Sequence, residues 1–398
     1  MKQVFSLAVL VSLTATVVLA QDPLQPAPAQ NLGAPVMTDP GLRVGPVDLH
    51  PRITTGVTYD DNILLSNNST NRLQAFITAI SPELTAGLGN KPAGRDTWLT
   101  LNYRPTFLIF SDHTDNNTVD HSAGLTAQWM LTKLTLGVSQ EYNQTHGAMV
   151  EVGQRFRQDS YRTTLLARYA FSEKTSLEIS PRLTIQDNED FLSSRDWGVD
   201  LFLNRALGAK LIGGLGGSIG LFTIDNSPDQ YYERGLARLT YAVAAKADVI
   251  ATVGIEGRQY DGSQSSKLQP VLGLAGVYRP WETASFTIEA HRREEASVTQ
   301  VAQNYVTTGG SAQLRQGLGE RFFVSVGGSY DYRSYSENTP GVIANRTDKY
   351  YTIRTAAGTT ITRRGAVNVF YQYQSNASTG ILRDFRNNQI GIQGSWGF

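Results

Sequence analysis

The residues of this chain that could do chemistry are charged side chains spaced two positions apart. Eleven arginines (Arg52, Arg104, Arg162, Arg168, Arg182, Arg234, Arg238, Arg258, Arg293, Arg333 and Arg354) fall on the polar phase of alternating segments. Eight carboxylates (Glu83, Asp120, Glu141, Glu178, Asp200, Glu256, Glu289 and Asp331) share that phase. A wall carrying both signs can hold itself together as an ion-pair lattice. It can also form a charged, pore-lining constriction that selects among passing solutes. Both readings stand together. Eleven basic groups against eight acidic ones leave a surplus of three. The expected selectivity is therefore a mild anion preference that fades as salt screens it.

Catalytic chemistry has little to work with. The five histidines are His50, His113, His121, His146 and His291. His121 adjoins Ser122, but neighbouring strand residues point to opposite faces, so the pair cannot act together. His291 is expected in the lumen near Glu289, with Ser285 further along the same strand. No G-x-S-x-G, H-E-x-x-H or phosphate-cradling loop occurs. The run Gly213-Gly214-Leu215-Gly216-Gly217 lacks the strand–turn–helix context of a nucleotide site and reads as a thin wall or local bend. The Asp60-Asp61-Asn62 and Asp187-Asn188-Glu189-Asp190 clusters lack the spacing of a calcium loop and read as loop solvation. Cysteine is absent, which excludes disulfide scaffolds, cysteine-ligated metals, a thiol nucleophile and a lipoprotein anchor. No enzyme activity, cofactor or metal is expected.

The elements that must position these charges are strands. From residue 48 onward apolar residues alternate with polar or small ones. Leu99, Leu101, Tyr103, Pro105, Phe107 and Ile109 share one face, and Thr100, Asn102, Arg104 and Thr106 the other. Leu177, Ile179, Pro181, Leu183 and Ile185 oppose Ser176, Glu178, Ser180, Arg182 and Thr184 in the same way. Eighteen such segments are expected, near 49–60, 74–88, 96–110, 119–131, 133–146, 156–171, 173–187, 195–206, 209–224, 229–243, 246–260, 267–280, 283–296, 303–316, 320–335, 347–361, 364–376 and 385–398. Tight breaks such as Ser172-Glu173-Lys174 and Leu207-Gly208 alternate with longer polar ones such as Asp61 to Arg72 and Gln144 to Arg155. Short turns on one rim and long loops on the other are the pattern of an outer-membrane barrel. Lipid offers no partner to an open sheet edge, so such a sheet must close.

Composition agrees. The 398 residues carry 35 basic and 35 acidic side chains, which argues against a nucleic-acid binder. Lysines 91, 133, 174, 210 and 246 cluster at the short turns. Trp129, Trp281, Trp396, Tyr169, Tyr241 and Tyr278 are expected in a periplasmic aromatic girdle. Tyr59, Tyr142, Tyr231, Tyr232, Tyr305, Tyr350 and Tyr351 are expected near the loop-side girdle, with sugar stacking as the alternative. Met1–Ala20 reads as a signal peptide cleaved before Gln21. The Pro-rich stretch 21–47 reads as a flexible periplasmic linker, which leaves the barrel at 48–398.

The ends of the barrel carry a resemblance. Trp396 and the terminal Phe398, with Ile392 and Ile390 on the same face, look like the C-terminal assembly signal of outer-membrane barrels. The segment Val57-Thr58-Tyr59-Asp60-Asp61-Asn62-Ile63-Leu64 resembles the start of the bacterial β-barrel porin 2 family. Ile80-Ser81-Pro82-Glu83-Leu84 and Ile179-Ser180-Pro181-Arg182-Leu183 are similar to strand motifs of that family. The resemblance covers 48–398 and implies a pore more than a substrate. The sequence therefore points to an all-β, transmembrane, antiparallel up-and-down β-barrel in a Gram-negative outer membrane. The expected activity is diffusion of small solutes. The alternatives are an exporter or secretion partner for exopolysaccharide and a structural or adhesive barrel. Expected partners are outer-membrane lipid and lipopolysaccharide, the barrel-assembly machinery, and small solutes or polysaccharide, with no nucleic acid.

Overall fold

The computed structural model describes residues 41–67, 72–89, 97–243, 246–261, 266–301, 303–337 and 346–398. The expected signal peptide, most of the expected linker and Lys91 lie outside the described residues. Alternation of apolar and polar residues gives an extended chain one face of each kind, and the chain folds accordingly into long strands. They are β1 (Val47–Asp60), β2 (Ala75–Leu88), β3 (Thr97–Phe110), β4 (Thr118–Met130), β5 (Leu134–Thr145) and β6 (Gln158–Ala170). Next come β7 (Thr175–Asn188), β8 (Ser194–Ala206), β9 (Leu211–Ile224), β10 (Gln230–Val243), β11 (Ala247–Tyr260) and β12 (Ser266–Tyr278). The last are β13 (Ala284–Ala296), β14 (Gln303–Leu318), β15 (Phe322–Glu337), β16 (Thr347–Thr360), β17 (Gly365–Ser378) and β18 (Phe385–Gly397).

Each strand pairs antiparallel with the next, and β1 pairs with β18 from Arg52 opposite Gly397 to Asp60 opposite Gln389. The sheet is thus a closed barrel of eighteen long strands. The expected segments match these strands to within two residues at every end. One difference concerns the linker. Leu42–Val44 forms a short strand against Val47–Leu49, so the last residues expected in the linker are part of the barrel's rim.

The outward phase is apolar. Leu101, Phe107, Leu165, Ile179, Leu203, Leu215, Val253, Ile255, Ile353, Val369, Ile390 and Ile392 are all exposed. No aqueous fold leaves so continuous an apolar belt, and a bilayer requires it. The inward phase is mostly polar, so the interior is held by hydrogen bonds and ion pairs rather than by a dry core. Between strands, the connection 146–157 on one rim is long, while 131–133, 171–174 and 361–364 on the other are tight. The contrast is weaker than expected at 189–193, and 225–229 is short as well.

One hairpin departs from the cylinder. The β12–β13 ladder stops at Leu272 opposite Arg292, while β13 and β14 stay paired up to Ala296 opposite Asn304. Above that point the β13–β14 tip leans into the lumen. Its Glu294 accepts from Tyr260 (2.8 Å) and Gln269 (2.6 Å), and Asn304 bonds Gln230 across the interior.

Candidate channel and its charged wall

The lumen is laid out by strand phase. Inward positions of β6 to β11 bring arginines and carboxylates into a connected lattice. Near the short-turn end, Glu178 receives Arg168 at 2.7 Å and Arg238 at 2.9 Å, and Arg238 also bonds Asn204. Higher up, Arg182 donates twice to Asp200, at 2.7 and 2.6 Å, and once to the Tyr232 hydroxyl at 2.6 Å. That hydroxyl donates in turn to Asp196. Above it, the fully buried Glu256 accepts from Arg234 (2.6 Å) and from Arg258 (3.0 Å), and Arg258 also reaches Gln230. Charges so buried persist only when paired, because desolvation exceeds what a lone guanidinium recovers.

Aromatic rings are the mortar of this lattice. Arg234 lies 4.5 Å from the Tyr232 ring and Arg238 lies 4.0 Å from the Phe202 ring. Glycine makes both seats. A Cβ at Gly220 would stand 2.2 Å from the Tyr232 ring, and one at Gly216 would stand 2.7 Å from Phe202. The glycine-rich strand β9 is therefore a bed for two inward rings, rather than the thin wall or bend its composition suggested.

The remaining expected lumen residues are placed as follows. Arg52 stands across from Glu83, and Arg162 across from Glu141. Arg104 faces Ser122 in register. Asp120 contacts His146 at 2.9 Å, and Asp331 contacts His291 at 3.3 Å. Arg293 pairs with Glu295, and Glu289 stands opposite Ser311. Arg333 lies over Tyr305, and Arg354 lies over Phe370 while bonding Gln372. At the closing seam, Trp396 and Phe398 are exposed on the outward face with Ile390 and Ile392. His121 points outward instead, stacked on Tyr103 at 6.1 Å and bonded to its hydroxyl.

Three tyrosines change sides. Tyr232, Tyr305 and Tyr350, expected near the loop-side girdle, share the inward phase of Arg234, Thr307 and Arg354. Tyr232 and Tyr305 are buried there. Their phase relative to the neighbouring arginine was the available signal. Tyr231 and Tyr241 do stand exposed outward.

These walls enclose a cavity of about 890 Å³ in the loop-side half of the barrel. Arg162, Arg234, Arg258, Arg293 and Arg333 face it. Against them stand Glu141, Glu289 and Asp331, and also Glu151, Asp196, Glu294 and Glu295, which the sequence reading had not named although Asp196 and Glu295 share the inward phase of Asp200 and Arg293. Glu294 escaped because its phase is that of the outward Phe286 and Ile288; only the leaning tip turns it inward. The surplus of basic charge expected from sequence is absent from this lining among the described residues.

Loop 146–157 narrows the mouth. The buried Glu151 accepts from Ser297, from Thr299 at 3.1 Å and from the Val298 amide at 3.4 Å, fastening this loop to the β13–β14 tip. Leu192 donates to the Val298 carbonyl at 3.0 Å, and Arg383 donates to Val152. Arg155 lies 4.6 Å over Phe110, and burial pulls its guanidinium below the ordinary arginine range. Four loops thus meet over the bore.

A closed antiparallel barrel with an apolar belt, a polar lumen and inward-folded loops defines a transmembrane β-barrel of the porin type. Comparison with known proteins finds no matching family model and no matching curated protein. Among solved structures the chain is similar to OpdO of Pseudomonas aeruginosa, at 10% identity over 88% of this chain and 98% of that one, with a TM-score of 0.47. It is similar also to OccAB4 of Acinetobacter baumannii (10% identity, 88% and 98% covered, TM-score 0.45). A third is the outer membrane protein opdK of Pseudomonas aeruginosa (10% identity, 88% and 99% covered, TM-score 0.43).

Proposed function

We propose that the chain is an outer-membrane channel through which small polar solutes diffuse. The observation that carries this reading is the 890 Å³ cavity walled by paired charges inside a closed barrel. Paired charges give hydrogen-bonding groups to a passing solute without a large net field. The lining carries at least as many carboxylates as guanidiniums, so the mild anion preference expected from the arginines is replaced by weak charge selectivity. Loops fastened to each other at the mouth favour slow passage of small molecules over export of a polymer such as exopolysaccharide. They also leave a cavity that a purely structural or adhesive barrel has no need of.

Membership of the β-barrel porin 2 family, a cleaved signal peptide, and recognition of Trp396 and Phe398 by the barrel-assembly machinery belong to the same proposal. The motif at Val57–Leu64 supports the first, the apolar run between Lys2 and Ala20 the second and the C-terminal residues the third. Single-channel recording in a planar bilayer tests the channel. We expect discrete openings, and a reversal potential in a salt gradient that places the anion-to-cation permeability ratio within about threefold of unity at ~0.1 M salt. Absence of conductance would reject the channel, and a strong preference for either sign would reject a lining in which seven carboxylates and five guanidiniums largely offset each other.

A further inference from the structure

We propose that the unladdered seam between β12 and β13 is a side door, through which anionic amphiphiles pass between the lumen and the outer leaflet. This inference rests on the channel reading and adds a second route to it.

Backbone groups on facing strands should pair wherever a barrel meets lipid. Here β12 keeps its ladder to β11 as far as Ser266 opposite Gln259, yet its ladder to β13 ends at Leu272 opposite Arg292. On the other side, β13 continues against β14 for four further residues. Two strand edges therefore face each other without a ladder between them. Side chains bridge the interval instead. Gln269 donates to Glu294 at 2.6 Å and Lys267 stands 3.6 Å from Glu294, while Lys267 also reaches past β13 to donate to Ser336 of β15 at 3.0 Å. Side-chain bonds can part without unfolding either strand, because each strand stays held by its other neighbour. A ladder cannot part so cheaply.

The two sides of the seam differ in chemistry. Outside, Leu268 is 72% exposed opposite Gly257, and the exposed Ile255 lies one outward position along, opposite Pro270. Inside, Glu294 and Glu295 open onto the main cavity. At the foot of the seam Arg292 has the outward phase of Leu272 and bonds Thr308, also outward. Its Nε is buried with no hydrogen-bond partner among the described residues. An apolar flank with an arginine at its base suits a molecule with an acyl tail and an anionic head.

The absence of native cysteine makes the test direct. Gln269→Cys and Glu294→Cys are introduced together and bridged, after folding, by a short cleavable bis-thiol reagent. Proteoliposomes are then assayed for glucose entry and for delivery of dansyl-undecanoate into the bilayer. We expect the bridge to cut dansyl-undecanoate delivery at least tenfold while glucose entry is unchanged, with cleavage restoring delivery to its starting level. Arg292→Gln should lower amphiphile delivery about threefold without touching glucose. Equal delivery before and after bridging would overturn the side door, as would a parallel fall of both solutes or no delivery at all. Failure of glucose entry through the wild-type protein would instead overturn the channel.

Discussion

Glu256→Gln removes one negative charge from the middle of the arginine lattice and leaves the shape almost intact. Glu256 is 0% exposed and accepts from Arg234 at 2.6 Å, from Arg258 at 3.0 Å and from Gln269 at 3.3 Å. Both arginines are themselves buried. Breaking a buried pair by removing one partner costs about 3–5 kcal/mol, because the surviving charge is left uncompensated. Glutamine still offers one oxygen acceptor, which puts the expected loss near the lower figure. With a urea slope of about 1–3 kcal/mol per molar, a loss of 3 kcal/mol moves the unfolding midpoint down by about 1–3 M. Heat-modifiable gel mobility and tryptophan fluorescence in lipid vesicles give that midpoint. A second readout separates charge from packing. The variant leaves two guanidiniums facing the cavity with less counter-charge, so its reversal potential should shift toward anions. In a double-mutant cycle with Arg234→Met, the pair should show a coupling of about 1–3 kcal/mol. An unchanged midpoint together with an unchanged reversal potential would refute the lattice as the structural support of the wall.

Three other outcomes are expected. Gly220→Ala should lower stability by about 1–3 kcal/mol by pushing Tyr232 off Arg182 and Asp196, whereas Gly235→Ala, whose Cβ would meet nothing within 4 Å, should change it little; parallel urea curves decide between them. Leu101→Arg, on the outward belt, should cost about 2–4 kcal/mol, and Thr100→Arg, on the inward phase, should cost much less in the same assay. Deleting Phe398 should leave the chain unassembled in the periplasm, and normal heat-modifiable migration of the truncated protein from outer membranes would refute its role as a signal.

The fold was legible because its governing period is two. Leu101, Ile179 and Val253 are outward in the structure for the reason they alternate in sequence: each neighbouring residue must meet the opposite solvent. That same phase put Arg182, Asp200, Arg234 and Glu256 inward. What phase alone could not supply was depth of packing. Thr252 has the inward phase, which suggests a watery position tolerant of arginine, yet it is 1% exposed. An arginine there would meet a filled wall. Phase failed outright at Glu294 and Asn304, because the β13–β14 tip leaves the cylinder. The loss of the β12–β13 ladder had one local signal, Pro270, which has no amide to donate, although a proline alone does not say that the whole stretch 266–271 goes unpaired. Glu151 was likewise hidden. It lies in a loop, and its partners Ser297, Val298 and Thr299 are brought to it only by the inward tip.

The closing ladder sets the order in which the barrel can come into being. Every other strand pair joins neighbours along the chain, so hairpins can form as soon as their residues exist. The β1–β18 pair joins Thr54 to Ser395, a separation of 341 residues. Bringing two points that far apart on a flexible chain together costs on the order of 5 kcal/mol in entropy alone. The nine residue pairs from Arg52 to Asp60 must meet that cost in one concerted step. Until it happens, both β1 and β18 are open edges, free to pair with any other extended chain. A half-made barrel therefore presents two pairing-competent edges, and its own copies must be kept from them until the last strand has arrived.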